Sequence, residues 1–217
     1  MTTIAFDLDG TLLDSVPHIH HAVAQALSDM GLPTITVAET PGFVGRGLPV
    51  LCENVLAHLG ADPALQDDLY TRTMRYYVDT PSDPSQLYPD VIAALDTLKA
   101  AGHRLTLCTN KPFAATRTAL DGTGLAPYFD VVIGGDSLAT RKPEPEMLHA
   151  ALDGADPAQA LYIGDSETDC ETAQAANVRF LLFTEGYRNS PPEALPHIRQ
   201  FSRWRDLPAL ISELSGH

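Results

Sequence analysis

Positive charge is scarce in this sequence: its 217 residues carry 14 Lys plus Arg against 28 Asp plus Glu, for a formal net charge of −14 at pH 7. Nucleic acid and anionic membrane both need basic surface, so neither is expected as a partner. Long apolar runs are missing too. Nothing approaches the roughly 20 apolar residues that span a bilayer, and Asp7 and Asp9 interrupt the amino terminus too early for a secretory leader. Cysteine is limited to Cys52, Cys108 and Cys170, far apart and without zinc-type spacing, which argues against a disulfide framework and suits reduced thiols. A cytoplasmic protein is expected, and an anionic substrate would need a local cationic site on it.

What is present is an alternation of short apolar segments with helical patterns. Residues 3–6, 104–108, 131–134, 161–163 and 179–183 read as strands, each followed by turn residues and then a helical pattern. Residues 144–152 and 168–176 are rich in Ala and Leu and open with Pro or acidic residues, as helix amino termini do. This predicts an α/β fold built on a doubly wound parallel sheet. The stretch between the first two strands is too long for one crossover. Helical periodicity over 16–30, 50–59 and 63–77 fills it, with Pro17 and Pro63 suited to first turns and Gly31 and Gly60 to carboxyl caps. The expected organisation is a core of residues 1–14 and 88–217 with an inserted all-helical domain over 15–87, closed by a return linker at 80–85.

Chemistry gathers at the strand ends. Asp7-Leu8-Asp9-Gly10-Thr11 follows the first strand, and residues two apart on an extended segment point the same way, so the two anions repel unless a cation, proton or ligand lies between them. Asp-Gly is also a hairpin signal. The fourth strand delivers a second acidic loop, Gly164-Asp165-Ser166-Glu167-Thr168-Asp169. Asp7 and Asp165 could supply the one or two carboxylates that Mg²⁺ takes, while Asp165 or Ser166 could equally cap the next helix. The second strand ends in Thr109-Asn110-Lys111-Pro112, a hydroxyl and an amide able to donate to phosphate oxygens or to act as a simple helix cap. Arg141-Lys142-Pro143 places a cation where it could balance the acids or lie solvated in a loop.

In this order, the four segments resemble the motifs of the haloacid dehalogenase superfamily of phosphatases and phosphomutases, over nearly the whole chain and including a helical cap inserted after the first motif. The resemblance implies that Asp7 is a nucleophile forming an aspartyl phosphate and that Asp9 protonates the leaving oxygen and then activates water. It implies that Thr109 with Asn110 holds the transferring phosphoryl and that Lys142 offsets its charge. Mg²⁺ would be bound by the Asp7 and Asp165 side chains and the Asp9 main-chain carbonyl, with Asp169 behind them. The acid at Asp9 argues against dehalogenation, since a halide leaves without a proton.

Asp14-Ser15-Val16-Pro17, Val44-Gly45-Arg46-Gly47, Thr109-Asn110-Lys111-Pro112, Gly134-Gly135-Asp136-Ser137 and Glu185-Gly186-Tyr187-Arg188 are similar to segments of phosphoglycolate phosphatases within that superfamily. This implies hydrolysis of 2-phosphoglycolate, a small phosphorylated metabolite, by a monomer or homodimer. Arg46 is then a candidate partner for the substrate carboxylate. A phosphomutase, or a noncatalytic phosphate-sensing module, is the alternative. His18 stands where many such phosphatases carry an acidic residue. His18 and His21 are expected on one face of a partly exposed helix, as unliganded side chains. Met74, Tyr76 and Tyr77 are expected to pack within the cap, and Arg199, Arg203 and Arg205 to be solvated.

Overall fold

The computed structural model describes residues 2–80 and 82–215. A six-stranded parallel sheet runs in the order β3-β2-β1-β4-β5-β6, formed by β1 (Thr3–Phe6), β2 (Arg104–Cys108), β3 (Val131–Ile133), β4 (Leu161–Gly164), β5 (Arg179–Phe183) and β6 (Arg199–Phe201). Side chains alternate across it as the two-residue period of a strand requires. Ile4, Phe6, Leu105, Leu107, Leu161, Ile163, Leu181 and Phe183 face α4 (Val91–Ala100), α5 (Phe113–Thr123) and α8 (Leu207–Ser215). Ala5, Cys108, Tyr162, Phe180 and Leu182 face α6 (Glu146–Leu152) and α7 (Glu167–Ala175). With both faces covered, the central strands have no solvated side, which explains their continuous apolar character.

The chain leaves β1 and returns to β2 on opposite sides of a helical insertion: α1 (Val16–Asp29), α2 (Leu48–Leu59) and α3 (Gln66–Asp79). These three build a cluster of their own around Val23, Leu27, Leu51, Val55 and Leu69. Pro17 lies in the first turn of α1, and Gly60 caps α2 in the left-handed conformation. Pro63 instead opens a 3₁₀ turn, Pro63–Leu65, whose first amides are served by Asp62 before α3 begins. Of the return linker, Pro81 lies outside the described residues; Asp83 caps a short turn over Pro84–Gln86.

Two expectations change. A sixth strand, β6, which the sequence pattern did not mark, pairs with β5, while Arg199, Arg203 and Arg205 are exposed as expected. His18 and His21 do not share an environment: His18 is buried, with its ring edge-on to Tyr77, while His21 is exposed.

Candidate active site

Strand order places β1 between β2 and β4, so the chain departs to either side of it, and the crevice at such a reversal is where open α/β sheets take ligands. Loops converge there from the carboxyl ends of β1, β2, β3 and β4, bringing in Asp7 and Asp9, Thr109 and Asn110, Lys142, and Asp165. The Asp7 amide continues the ladder by donating to the Ile163 carbonyl at 2.9 Å. Gly10, at φ 84°, then turns the chain so sharply that Leu12 and Leu13 both donate back to the Leu8 carbonyl.

Lys142 is the hub of the buried charge. Its Nζ lies 2.9 Å from Asp7 Oδ1 and 2.7 Å from Asp169 Oδ1, and donates at 2.9 Å to the Tyr162 hydroxyl. Burial alone would strip its proton, but the two carboxylates outweigh that and hold it charged. Asp169 is saturated: Oδ1 accepts from Lys142 and Tyr162, and Oδ2 from the Asp165 and Ser166 amides and the Ser166 hydroxyl. Burial opposes its charge, yet Lys142 and these donors keep its carboxyl below the usual range. Asp7 is less well served. Burial pushes it up to about 7 although Lys142 pulls the other way, and the Asp169 charge adds to the rise. Asp165 is raised well above the ordinary carboxylate range by burial and by its neighbours Asp169 and Asp7, despite accepting from Thr11 Oγ1 at 2.6 Å and from the Tyr187 amide at 2.7 Å.

These acids suit a hard cation. Carboxylate oxygens of Asp7, Asp165 and Asp169 lie within 4.8 Å of one another, and the buried Asp7 Oδ1 accepts no aligned hydrogen bond. Because Asp169 is already committed to five donors, Asp7 and Asp165 are the two with reason to seek a metal, an oxygen-only set of the kind Mg²⁺ accepts.

Two chambers open from Asp7 and Asp9. The inner one, about 40 Å³, is bounded by Thr109, Asn110, Lys111 and Lys142 from the core and by Ile19, Phe43, Leu48, Leu51 and Tyr77 from the helical insertion. The outer one, about 490 Å³, is lined by Asp165, Ser166 and Thr168 below and by Arg46, Val50 and Asn54 above. Of the residues singled out by sequence, Asp7, Asp9, Thr109, Asn110 and Lys142 therefore meet at the inner chamber, while Arg46 is exposed on the outer one. The Asn110 amide is fully used as a brace, donating to the Gly45 and Lys142 carbonyls and accepting from the Lys142 amide.

Sequence reasoning missed several participants. Lys111 is buried, with Nζ 3.1 Å from Asp9 Oδ1 and 4.4 Å from the centre of the Tyr77 ring. Its signal was available, a cation two residues beyond Thr109 at a strand end. Tyr77, expected only to pack, also lines the inner chamber. Thr11, Tyr162 and Tyr187 hold the acids, and the Tyr187 hydroxyl also reaches the start of the insertion, donating to Asp14 and accepting from the Val16 amide.

The fold is that of a known class: the chain belongs to the haloacid dehalogenase-like hydrolase family, whose profile matches residues 4–183. Among individual proteins, it is 47% identical over 216 residues to a phosphoglycolate phosphatase of Cereibacter sphaeroides, covering 99% of each chain. A phosphoglycolate phosphatase of Rhodobacter capsulatus is 42% identical over 210 residues, 96% of this chain and 95% of that one. In three dimensions the fold superimposes with a TM-score of 0.87 on the crystal structure of a predicted phosphoglycolate phosphatase from Haemophilus somnus, at 28% identity and covering 97% and 98% of the two chains.

Proposed function

We propose that this hydrolase is a Mg²⁺-dependent phosphatase converting 2-phosphoglycolate to glycolate and phosphate through a phosphorylated Asp7. The observation that carries the reading is the buried carboxylate of Asp7, paired with Lys142 and flanked by Asp9 at the junction of the two chambers. A carboxylate and a phosphate dianion repel each other, and at contact distance in a dry site that repulsion reaches several kcal/mol or more. Lys142 offsets part of it. A Mg²⁺ ion held by the Asp7 and Asp165 side chains and the Asp9 carbonyl would supply the remaining positive charge.

Asp7 attacks phosphorus and the ester bond breaks, with Asp9 giving its proton to the departing oxygen. Asp9 then accepts a proton from water as that water attacks the aspartyl phosphate, releasing phosphate and regenerating Asp7. Thr109, buried beside Asp7, donates to the transferring phosphoryl. Asn110 braces the Lys142 loop and the Gly45 loop on either side of that position. Residues 15–87 act as a cap whose apolar wall excludes bulk water. Arg46, at the outer chamber, meets the substrate anion as it arrives. Among the described residues no helix is long and apolar enough to cross a membrane. The three buried free cysteines suit a reducing cytoplasm, where the protein acts as a monomer or homodimer.

The test is phosphate release from a panel of phosphomonoesters, with Mg²⁺ and with EDTA. Metal-dependent release that favours 2-phosphoglycolate is expected; release from every ester alike would overturn the substrate, and no release the activity.

A further inference from the structure

We propose that Lys111 is the specificity-determining residue of the inner chamber, the cation that pairs with a carboxylate on the leaving group. The inference rests on the phosphatase reading above and deepens it by naming what reads the substrate's second charge.

Two ammonium groups border the inner chamber, and they differ in what is left to them. Lys142 is committed to Asp7, Asp169 and the Tyr162 hydroxyl. Lys111 has three protons to donate, but its hydrogen bonds are to one carboxylate, Asp9, at 3.1 and 3.4 Å, and its other near neighbour is the face of the Tyr77 ring. Its side chain is only 2% exposed. Keeping an ammonium dry with a single carboxylate and an aromatic face is expensive unless a further anion joins it.

Position points to which anion. Asp9 addresses the ester oxygen, so a cation against the Asp9 carboxylate stands on the leaving-group side of phosphorus. There the other walls are apolar, from Ile19, Leu48 and Leu51. Among the described residues, a carboxylate one carbon beyond the ester oxygen would find no other uncommitted cation in that chamber, since Lys142 is held by Asp7 and Asp169 and Arg46 lines the outer one. Tyr77 belongs to α3 of the insertion and Lys111 to the core, so the pairing is complete only when the two parts are together, as they are here.

A Lys111 that merely supported the fold or Asp9 would serve every phosphomonoester equally. The experiment compares 2-phosphoglycolate with ethyl phosphate, which has the same carbon count and no carboxylate, for the wild type, Lys111→Met and Lys111→Arg, all with Mg²⁺. For Lys111→Met the ratio of kcat/KM for phosphoglycolate to that for ethyl phosphate is expected to fall by about 30-fold or more, mainly through KM for phosphoglycolate. Lys111→Arg, which keeps the charge, should fall by less than about tenfold. Should the methionine variant not fold, the arginine variant carries the test, because any loss it shows must fall more heavily on phosphoglycolate. Equal losses on both esters, or a preference that survives Lys111→Met, overturn the assignment of Lys111 while the phosphatase stands. A wild type that prefers neither ester overturns the substrate and Lys111's role together.

Discussion

At Asp7, burial and charge pull in opposite directions, and burial wins, so the carboxyl stays above its ordinary range although Lys142 stands 2.9 Å away. Asp7→Asn should therefore abolish Mg²⁺-dependent phosphate release, a loss of at least about 10⁴-fold, while circular dichroism shows the fold intact. Lys142→Met should do more, leaving Asp7 and Asp169 as unpaired buried charges at a cost of about 3–5 kcal/mol, read from urea unfolding. Gly186 acts through what it lacks: a Cβ there would collide with the Asp165 side chain. Gly186→Ala is expected to displace that carboxylate and raise the Mg²⁺ concentration for half-maximal rate by about tenfold or more, with the unfolding midpoint as the control for stability. His18 offers a pH effect of definite sign. Burial, then the Lys111 charge, lower it from 6.5 to about 4, so the folded chain prefers the neutral ring. Its contribution is present in full above pH 6.5 and is lost as pH falls through 4, by up to about 3 kcal/mol. Unfolding of wild type and His18→Gln at neutral pH and near pH 5 checks this: the variant should lose less stability on acidification, and parallel losses would remove His18 as the cause. Asp7, Asp9, Thr109, Lys142 and Asp165 were legible in the sequence because each follows a recognisable strand end or a proline-marked loop. Lys111 stood in plain view beside Thr109, but neither its role nor that of His18 was legible, since both depend on burial, which follows from where the insertion settles over the core.

Elements were legible to the extent that both faces of a strand or one face of a helix are apolar. β1, β2 and β5 keep their expected bounds. β6 escaped because it is a short edge strand, Arg199-Gln200-Phe201, whose one buried side chain cannot show a period. α6 starts at Glu146, two residues late, because Pro143 and Pro145 hold the preceding backbone out of the helix. The segment after β6 is more consequential than its length suggests. Trp204 is 1% exposed and packs against Phe6, Phe183 and Phe201, covering the sheet directly beneath the strands that carry Asp7 and the Asp165 partner loop. Trp204→Ala should cost about 3–5 kcal/mol of stability and leave kcat/KM of the folded fraction within about threefold, as it touches no group of the site. A drop in kcat/KM without a drop in stability would contradict that separation.

For the whole molecule, the decisive feature is that all six strands run the same way. Parallel strands give the sheet two unlike ends, and every loop of the site leaves from the carboxyl end. Among the described residues the amino end carries connections such as the exposed turn around Asp156 and Ala158 that leads into β4. The native thiols are all buried, with Cys52 and Cys108 pushed up to about 12 and Cys170 to about 11 by that burial, so they resist alkylation. Ala158→Cys therefore creates a single reactive handle on the far side of the protein. Coupled to a solid support through it, every molecule would stand with its mouth toward the solution, so the direction of the strands becomes the orientation of an immobilised catalyst.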